Sequence, residues 1–249
     1  MELSELVAYA ALGTGAGVLV GCVGIGGVII VPALVYFAGH SVPTAIAAAM
    51  CAFIASGVVG SYAYTKAGSI RWRMTAWTWV GALPCAFAGA LLVNAVAPTF
   101  LELAIALLTV GSGLHALRGR RGPSKGHRTL SPPVLAAVGG GTGFLSALTG
   151  TGGPLVLVPI LVALDVPILA SIGLAQAIQL PVAAAATGGY WLSGALVLPL
   201  GLALGAGIGL GTWIGARVAH RLPTATLRRA VAALLVIVGT AMLLHLVTR

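Results

Sequence analysis

Two glycine-rich segments interrupt long apolar sequence, one in each half of the chain. The first is residues 24–32 (GIGGVIIVP) and the second is residues 150–159 (GTGGPLVLVP). The glycines of the first segment recur 126 residues later: Gly24, Gly26 and Gly27 return as Gly150, Gly152 and Gly153. An apolar chain that repeats itself and breaks at the same place in both halves is typical of membrane transporters, where such breaks border a binding site near the bilayer midplane.

Composition then fixes the class of protein. Hydrophobic residues make up 59% of the chain and charged residues 7%, with a mean hydropathy of +1.08, whereas a soluble domain carries about 25% charged residues. The apolar runs are long and unbroken, unlike the alternating segments of about 10 residues in an outer-membrane barrel. The sequence therefore predicts an all-α polytopic membrane protein. The net charge of +9 does not indicate nucleic acid, because the basic residues lie in short loops between apolar runs.

Two apolar runs are too long for a single membrane crossing, which takes about 20 residues. The runs 3–38 and 132–164 contain 36 and 33 residues, and each has its glycine segment near the middle. Each run is either one tilted crossing with a long end or a hairpin that turns at the glycines and returns. The longest polar stretch separates the two halves. We therefore divide the chain into a first repeat (1–117), a basic linker (118–131) and a second repeat (132–249).

The distribution of Lys and Arg favours the hairpins. If every run crosses once, nine of the 13 basic residues lie on one side and four on the other. If the two long runs return, 12 share one side and only Arg249 lies opposite, together with Glu2 and Glu5. Because Lys and Arg accumulate in cytoplasmic loops, we expect returning hairpins, cytoplasmic basic loops and both termini outside. Each repeat then has one hairpin and three crossings, and this odd number predicts that the repeats are inverted.

The turns themselves indicate anion chemistry. A glycine turn at membrane depth is tolerated only where protein or a wet cavity surrounds it. The residues after the turns, 28–37 and 154–162, are predicted half-helices, and Pro154 occupies the first helical position that proline favours. Their free N–H groups and positive dipole ends would point at the midplane and favour an anion. The alternative is that these glycines only permit close helix packing, which is how we interpret Gly207, Gly211 and Gly215.

Polar side chains near the turns are hydroxyls and amides. Thr149 and Thr151 could add hydroxyl donors. Gln176 and Gln179 are the only glutamines of the chain and lie three residues apart on one face of an apolar crossing, where polar groups tend to face a partner or a cavity. The alternative for this pair is an interhelical hydrogen bond. The predicted substrate-binding residues are Gly24, Gly26, Gly27, Gly150, Thr151, Gly152, Gly153, Gln176 and Gln179.

Other functional chemistry has little support in the sequence. No nucleophile with a paired base is visible, the five histidines do not cluster and no metal-ligand spacing appears. No Gly-Lys-Ser or Gly-Lys-Thr phosphate loop is present. Glu102 and Asp165 lie close to the ends of apolar runs, where we expect interfacial carboxylates and not proton carriers. We therefore predict a protein that is not an enzyme and that uses no metal or cofactor.

These features resemble the sulfite exporter TauE/SafE family of membrane permeases. The resemblance rests on the two glycine turns followed by Val-Pro, on the segment QAIQLP at 176–181 and on the internal duplication, and it covers essentially the whole chain. It implies transport, with export as the expected direction, of a small sulfur-containing anion such as sulfite or an organosulfonate across the bacterial inner membrane. The chain departs from a strict repeat because Gly27 and Pro32 are separated by one residue fewer than Gly153 and Pro159.

Three functions are compatible with this sequence. A secondary transporter would hold the anion at the turns and would draw on an ion gradient, the membrane potential or a partner protein, because no ATPase motif is present. A passive anion channel would use the same site without alternating access. A non-transporting assembly subunit would tolerate loss of the glutamines. The expected partners are the anion and the lipid bilayer, a homodimer is compatible with the sequence, and nucleic acid is not expected.

Overall fold

The computed structural model describes residues 3–24, 27–118, 130–164, 166, 168–219 and 224–247. All regular elements of these residues are helices. In chain order they are α1 (Leu3–Val23), α2 (Gly27–Pro32), α3 (Val42–Lys66), α4 (Trp72–Leu92), α5 (Pro98–Arg118), α6 (Pro132–Thr149), α7 (Pro154–Ala163), α8 (Ile168–Leu192), α9 (Leu198–Ala219) and α10 (Thr224–Val247). A π-helix, Ala33–Phe37, follows α2 directly.

The helices have the length and the surface of membrane-spanning elements. Among the described residues, five helices are long and apolar enough to cross a bilayer, namely α1, α3, α4, α8 and α9. Large apolar side chains are exposed around the bundle, for example Phe37 at 91% and Leu202 at 61%, as expected for a surface whose solvent is lipid. The chain is therefore an all-α polytopic membrane protein, as its composition predicts.

The sequence repeat is also a repeat of helices. Helices α3 and α8 begin and end 126 residues apart, and α4 and α9, like α5 and α10, begin 126 residues apart. The ends of α3 and α8 are closed by matching hydrogen bonds, from Ser69 N to Tyr64 O (3.0 Å) and from Ala195 N to Tyr190 O (3.1 Å). These bonds join the residue after a glycine to the last helical turn, which is the Schellman form of helix ending.

Helices α3 and α8 form the centre of the bundle. They pack against each other, and α3 also packs against α9 while α8 packs against α4. Helix α1 covers α9, α6 covers α4, and α5 pairs with α10. The first half of α3 is almost fully apolar, and Ala45 through Met50 are buried. Most of these side chains are small, which lets neighbouring backbones approach closely.

Contacts along the helices show which end of the bundle each one occupies. We call the end where α3 finishes at Lys66 and α9 passes Arg217 the basic end. Gly173, near the start of α8, lies against Ser69 in the α3–α4 loop, so α8 starts at the basic end. Helix α6 runs parallel to α4, with Gly139 against Thr78 and Gly143 against Ala82, so α6 starts there too. The segment 132–164 therefore returns to the end where it began.

The first long segment returns in the same way. Helix α1 runs parallel to α9, with Gly13 against Leu204 and Gly21 against Thr212, so it starts at the end opposite to the basic end. Helix α3 also starts at that opposite end, and Tyr9 of α1 lies within hydrogen-bond distance of His40 just before α3 (Oη to Nε2, 3.1 Å). Both long apolar segments are thus helical hairpins within the bundle, not single tilted crossings.

Candidate functional site

Each hairpin turns at a glycine with left-handed backbone geometry. Gly24 has φ 83° and Gly150 has φ 66°. The Gly24 N–H donates to Val20 O (2.7 Å), and the Gly150 N–H donates to Ser146 O (2.8 Å). A side chain with Cβ is disfavoured at such φ values, so glycine is the residue that lets the helix end here. The two helix endings are equivalent positions of the repeat.

The second turn holds two further glycines in unusual geometry before α7 begins. Gly152 has φ 78° and Gly153 has φ 106°, and Gly153 O then accepts the first helical bond of α7, from Leu157 N at 3.0 Å. A Cβ added to Gly152 would lie 2.9 Å from Phe53 Cδ2 of α3 and 2.9 Å from Gln179 Nε2 of α8. The backbone of this turn is therefore pressed against the middle of the two central helices.

The two turns lie against each other's half-helices. Gly24 faces Pro154 at the start of α7, where a Cβ on the glycine would lie 2.6 Å from the proline Cβ. Gly150 faces Val31 of α2, at 2.9 Å from its Cγ2 by the same measure. The fold thus brings together the two segments that are 126 residues apart in the sequence. Of the predicted site residues in the first turn, Gly24 and Gly27 are described, whereas Gly26 lies outside the described residues.

The end of α1 lies on the basic-end side of the middle of the bundle, just as the end of α6 lies on the other side, where Ala147 contacts Gly89 near the end of α4. Gly21, one turn before Gly24, lies against Thr212 and Ala216 in the last turns of α9. The reason is length, because the 21 residues of α1 extend about 31 Å, a full bilayer core. Each hairpin therefore has one long arm, α1 or α6, and one shorter arm, which differs from the expected turn near the middle of each run.

The half-helices differ at their prolines. Pro32 closes α2, and the chain continues as the π-helix Ala33–Phe37, whereas α7 passes through position 159 and remains α-helical to Ala163. Proline lacks the N–H that an α-helix uses, and π-turns inside helices are frequent at functional sites. The one-residue difference in the sequence thus coincides with a local difference in helix type.

Gln176 bridges two helices and keeps one polar atom without a partner. Its side chain is fully buried, and its Nε2 donates to Val20 O of α1 at 2.6 Å. Its Oε1 is buried and has no hydrogen-bond partner. This atom faces Gly60 of α3, where a Cβ would lie only 2.5 Å from it, so a residue larger than glycine would collide with it. An unpaired buried acceptor costs about 1–3 kcal/mol, so this atom is a candidate for contact with water or a ligand.

Gln179 lies one helical turn further along α8, near the middle of that helix, and joins a chain of hydroxyls. Its Oε1 accepts from Ser56 Oγ of α3 at 3.3 Å, and Thr212 Oγ1 of α9 donates to Ser56 Oγ at 3.0 Å. Its Nε2 lies next to Gly152. The interhelical hydrogen bonds that are the alternative to ligand binding are therefore present for both glutamines, and both side chains also border a turn.

The threonines of the second turn bond to each other. Thr149 Oγ1 donates to Leu145 O at 2.7 Å and lies 3.1 Å from Thr151 Oγ1. A hydroxyl has one proton, so Thr151 is the donor in this pair. The Thr151 hydroxyl would therefore have to rotate before it could donate to an anion, a constraint that the sequence does not reveal.

Two hydroxyls beside the second turn are not among the binding residues predicted from the sequence. Thr142 and Ser146 lie four residues apart on α6, are fully buried, and have hydroxyl oxygens without a hydrogen-bond partner. The Thr142 methyl is 4.0 Å from the position that a Cβ on Gly153 would take. The signal in the sequence was their i, i+4 spacing just before the turn.

A pair of tyrosines was also missed. Tyr64 of α3 donates its hydroxyl to Gly21 O (3.1 Å), and Tyr190 of α8 donates to Ala147 O. Both are buried. The donors are 126 residues apart in the sequence, and so are the acceptors, which lie in the last turns of α1 and α6. The repeat of Tyr64 as Tyr190 was visible in the sequence and would have identified them.

Carboxylates lie outside the region of the turns, as far as the structure describes them. Glu102 in the first turns of α5 is 5% exposed and receives a hydrogen bond from Tyr36 of the π-helix (3.4 Å). It is thus buried under the first half-helix, more deeply than its interfacial position in the sequence suggests. Asp165 is outside the described residues. Within the described chain, no three His, Cys, Asp or Glu side chains group as metal ligands.

Comparison with known proteins gives one match. A family model described as sulfite exporter TauE/SafE matches residues 9–242, which is nearly the whole chain and includes both turns. No match to the chain is found among curated proteins or among solved structures.

Proposed function

The chain belongs to the sulfite exporter TauE/SafE family, and from this premise we propose that it is a secondary transporter that exports a small sulfur-containing anion, such as sulfite or an organosulfonate, across the bacterial inner membrane. The family and the apolar helices make it a multi-pass membrane transporter. The kind of anion, the direction and the binding site are the parts that we infer.

We place the anion between the two turns. The observation that carries this is the contact of Gly24 with Pro154, because it joins the two interrupted segments inside an otherwise apolar bundle. The residues named at the turns are neutral, so binding would depend on backbone N–H groups and helix dipoles. The proposed binding residues are those predicted from the sequence: Gly24, Gly26, Gly27, Gly150, Thr151, Gly152, Gly153, Gln176 and Gln179. Thr142 and Ser146 are added as hydroxyls that have no protein partner.

We infer that alternating access comes from two inverted repeats, residues 1–117 and 132–249, joined by the linker 118–131. The start of α1 at one end of the bundle and of α6 at the basic end supports the inversion. The accumulation of Lys66, Arg71, Arg73 and Arg217 at the basic end supports a cytoplasmic position for that end and for the linker. Both termini would then lie outside, and one repeat would rock against the other.

The decisive experiment is uptake of labelled sulfite into proteoliposomes of the purified protein, with thiosulfate, sulfonates and sulfate as competitors. We expect saturable flux and counterflow, because a carrier exposes one site alternately to the two faces. Flux that rises linearly without counterflow would favour a channel. Absence of flux for all these anions, with the protein correctly inserted, would overturn the proposal.

The glutamines offer a matched test of the site. Gln176→Met installs the side chain that the first half has at the equivalent position, Met50, and keeps most of the volume. We expect roughly tenfold weaker sulfite binding from the loss of a polar contact, measured by ligand-induced thermal shift. Ala185→Ser, on the same helix but away from the turn, is the control. Unchanged sulfite affinity in Gln176→Met would assign this glutamine to helix packing alone.

A further inference from the structure

A cavity of about 640 Å³ lies at the basic end of the bundle, between the last turns of α3 and α9. It is lined by Tyr62 and Lys66 of α3 and by Trp213, Ala216 and Arg217 of α9, together with small residues of α3. It is an open cavity, because Tyr62 is 69% and Trp213 45% exposed. None of these residues belongs to the proposed binding site at the turns.

The described walls of this cavity carry a positive charge. Among the described residues that line it, Lys66 and Arg217 are charged and none is acidic. The chain as a whole has four acidic against 13 basic residues, and the described Glu102 lies on α5 beside Tyr36, away from this cavity. Two cations in one recess draw anions from solution and raise their local concentration.

Arg217 is held in place by an aromatic ring. Its guanidinium carbon lies 3.5 Å from the centre of the Trp213 ring, which is a cation–π contact. A stacked guanidinium keeps its N–H groups at the edge of its plane, where they match the oxygens of an oxyanion in a forked geometry. The stacking therefore restricts the orientation of the donor group that lines the cavity.

The cavity adjoins the first turn. Ala216, one of its lining residues, has its backbone N at 2.8 Å from the place that a Cβ on Gly21 would take. Tyr64, on the same turn of α3 as the lining residues, is buried and donates its hydroxyl to Gly21 O. Ala216 thus contacts both the cavity and the end of α1, three residues before Gly24, and Tyr64 contacts that end beside it.

We propose that this cavity is an anion-binding vestibule, in which Lys66 and Arg217 capture the transported oxyanion on the cytoplasmic side before it passes Tyr64 to the turns. This inference rests on the proposed function, since it names a second site on the same route. Basic residues and aromatic rings also occur at membrane interfaces, where they orient and anchor the protein in the bilayer. Anchoring requires only that they lie at the end of the bundle, and it does not require that they share a cavity beside the turn.

The test compares the double variant Lys66→Gln/Arg217→Gln with Arg73→Gln. Arg73 is exposed at the same end, carries the same charge and does not line the cavity. Initial rates of sulfite transport are measured in vesicles of neutral lipid over a range of sulfite and salt concentrations. We expect the double variant to raise KM about tenfold or more with kcat nearly unchanged and to weaken the salt dependence of KM, while Arg73→Gln behaves like the unmodified protein.

Two more comparisons separate the effect of charge from those of side-chain shape and of bound lipid. The variant Lys66→Arg keeps both charges and the stacked Arg217 guanidinium, so it should retain a near-normal KM; if it fails as the glutamine variant does while thermal stability is intact, charge is not the cause and the vestibule is refuted. Equal KM values for the double variant and Arg73→Gln would refute it as well. A defect that appears only when anionic lipid is added would assign the cavity to a lipid phosphate, against the proposal.

Failure of the vestibule can be distinguished from failure of the transport function. If the unmodified protein shows no sulfite flux, binding of labelled sulfite to the purified protein in neutral detergent is measured instead. Binding that Lys66→Gln/Arg217→Gln lowers and Arg73→Gln leaves intact supports the vestibule without transport. Binding that neither variant changes overturns it.

Discussion

Most of the polar side chains around the two turns come from the second half of the chain. Positions Thr142, Ser146, Gln176 and Gln179 correspond, 126 residues earlier, to Ala16, Val20, Met50 and Phe53. The glycines of the turns and the two tyrosines recur in both halves. The four polar side chains named above do not. The repeat therefore covers the scaffold, whereas the amide and hydroxyl side chains that we propose for the site lie in the second copy. A substrate bound between the turns would be held asymmetrically.

At the scale of single residues, Gly152→Ala is the substitution that tests the second turn most directly. The new Cβ would require φ 78° and would press on Phe53 and Gln179 at 2.9 Å, with strain of about 1–3 kcal/mol. We expect sulfite transport to fall at least tenfold while the protein still inserts, measured by flux and by the amount of protein in the membrane fraction.

Gly141→Ala is the matched control for that change. Gly141 lies in α6, where a Cβ would meet nothing within 4 Å, so alanine should be neutral there. Normal flux in Gly152→Ala would show that the turn tolerates displacement and would contradict the proposed role of its backbone.

At the scale of helices, the α1–α9 contact depends on interlocked glycines. Gly13, Gly17 and Gly21 of α1 recur at every fourth residue and lie against α9, whose Gly207, Gly211 and Gly215 lie against α1. The same arrangement joins α4 and α6 through Gly81 and Gly139. Such spacing brings two backbones into direct contact in lipid, where apolar burial cannot hold helices together. The packing interpretation of Gly207, Gly211 and Gly215 thus fits the structure.

This close-packed contact of α1 with α9, which we call the seam, predicts that Gly17→Ala destabilises the protein. A Cβ at Gly17 would lie 2.8 Å from Ile208 Cα, and both partners are helix backbone that cannot yield without separating α1 from α9. We expect a loss of about 1–3 kcal/mol of stability, the usual cost of overpacking, seen as a lower unfolding temperature in detergent.

Gly15→Ala, on the same helix, provides the comparison. Nothing lies within 4 Å of a Cβ at that position, so the variant should be unchanged or more stable by about 0.5–1 kcal/mol, because alanine costs less entropy in a helix than glycine. Equal unfolding temperatures for Gly15→Ala and Gly17→Ala would contradict the close-packed seam.

For the whole molecule, the sequence predicts the fold more fully than the site. The 126-residue offset and the Pro and Gly punctuation predict the helix bounds well, because these residues act through local backbone rules. The distribution of Lys and Arg predicts the returning hairpins, because these residues accumulate in the cytoplasmic loops of membrane proteins. The unequal arms of the two hairpins and the π-helix after Pro32 depend on how the arms pack. The Thr151–Thr149 bond and the free hydroxyls of Thr142 and Ser146 depend on tertiary contacts that no repeat encodes.

The orientation and inversion of the repeats can be tested with equivalent loop positions. Ala67 follows α3 at the basic end and Ser193 follows α8, 126 residues later. In a background with Cys22, Cys51 and Cys85 replaced, we introduce Ala67→Cys or Ser193→Cys and treat cells with a membrane-impermeant maleimide. Inverted repeats place equivalent loops on opposite faces, and the positive-inside rule makes the Ala67 side cytoplasmic. We therefore expect Ser193→Cys to react in intact cells and Ala67→Cys only after permeabilisation. Reaction of both positions from the same face would refute the inversion, and the reverse pattern would keep the inversion but refute the proposed orientation.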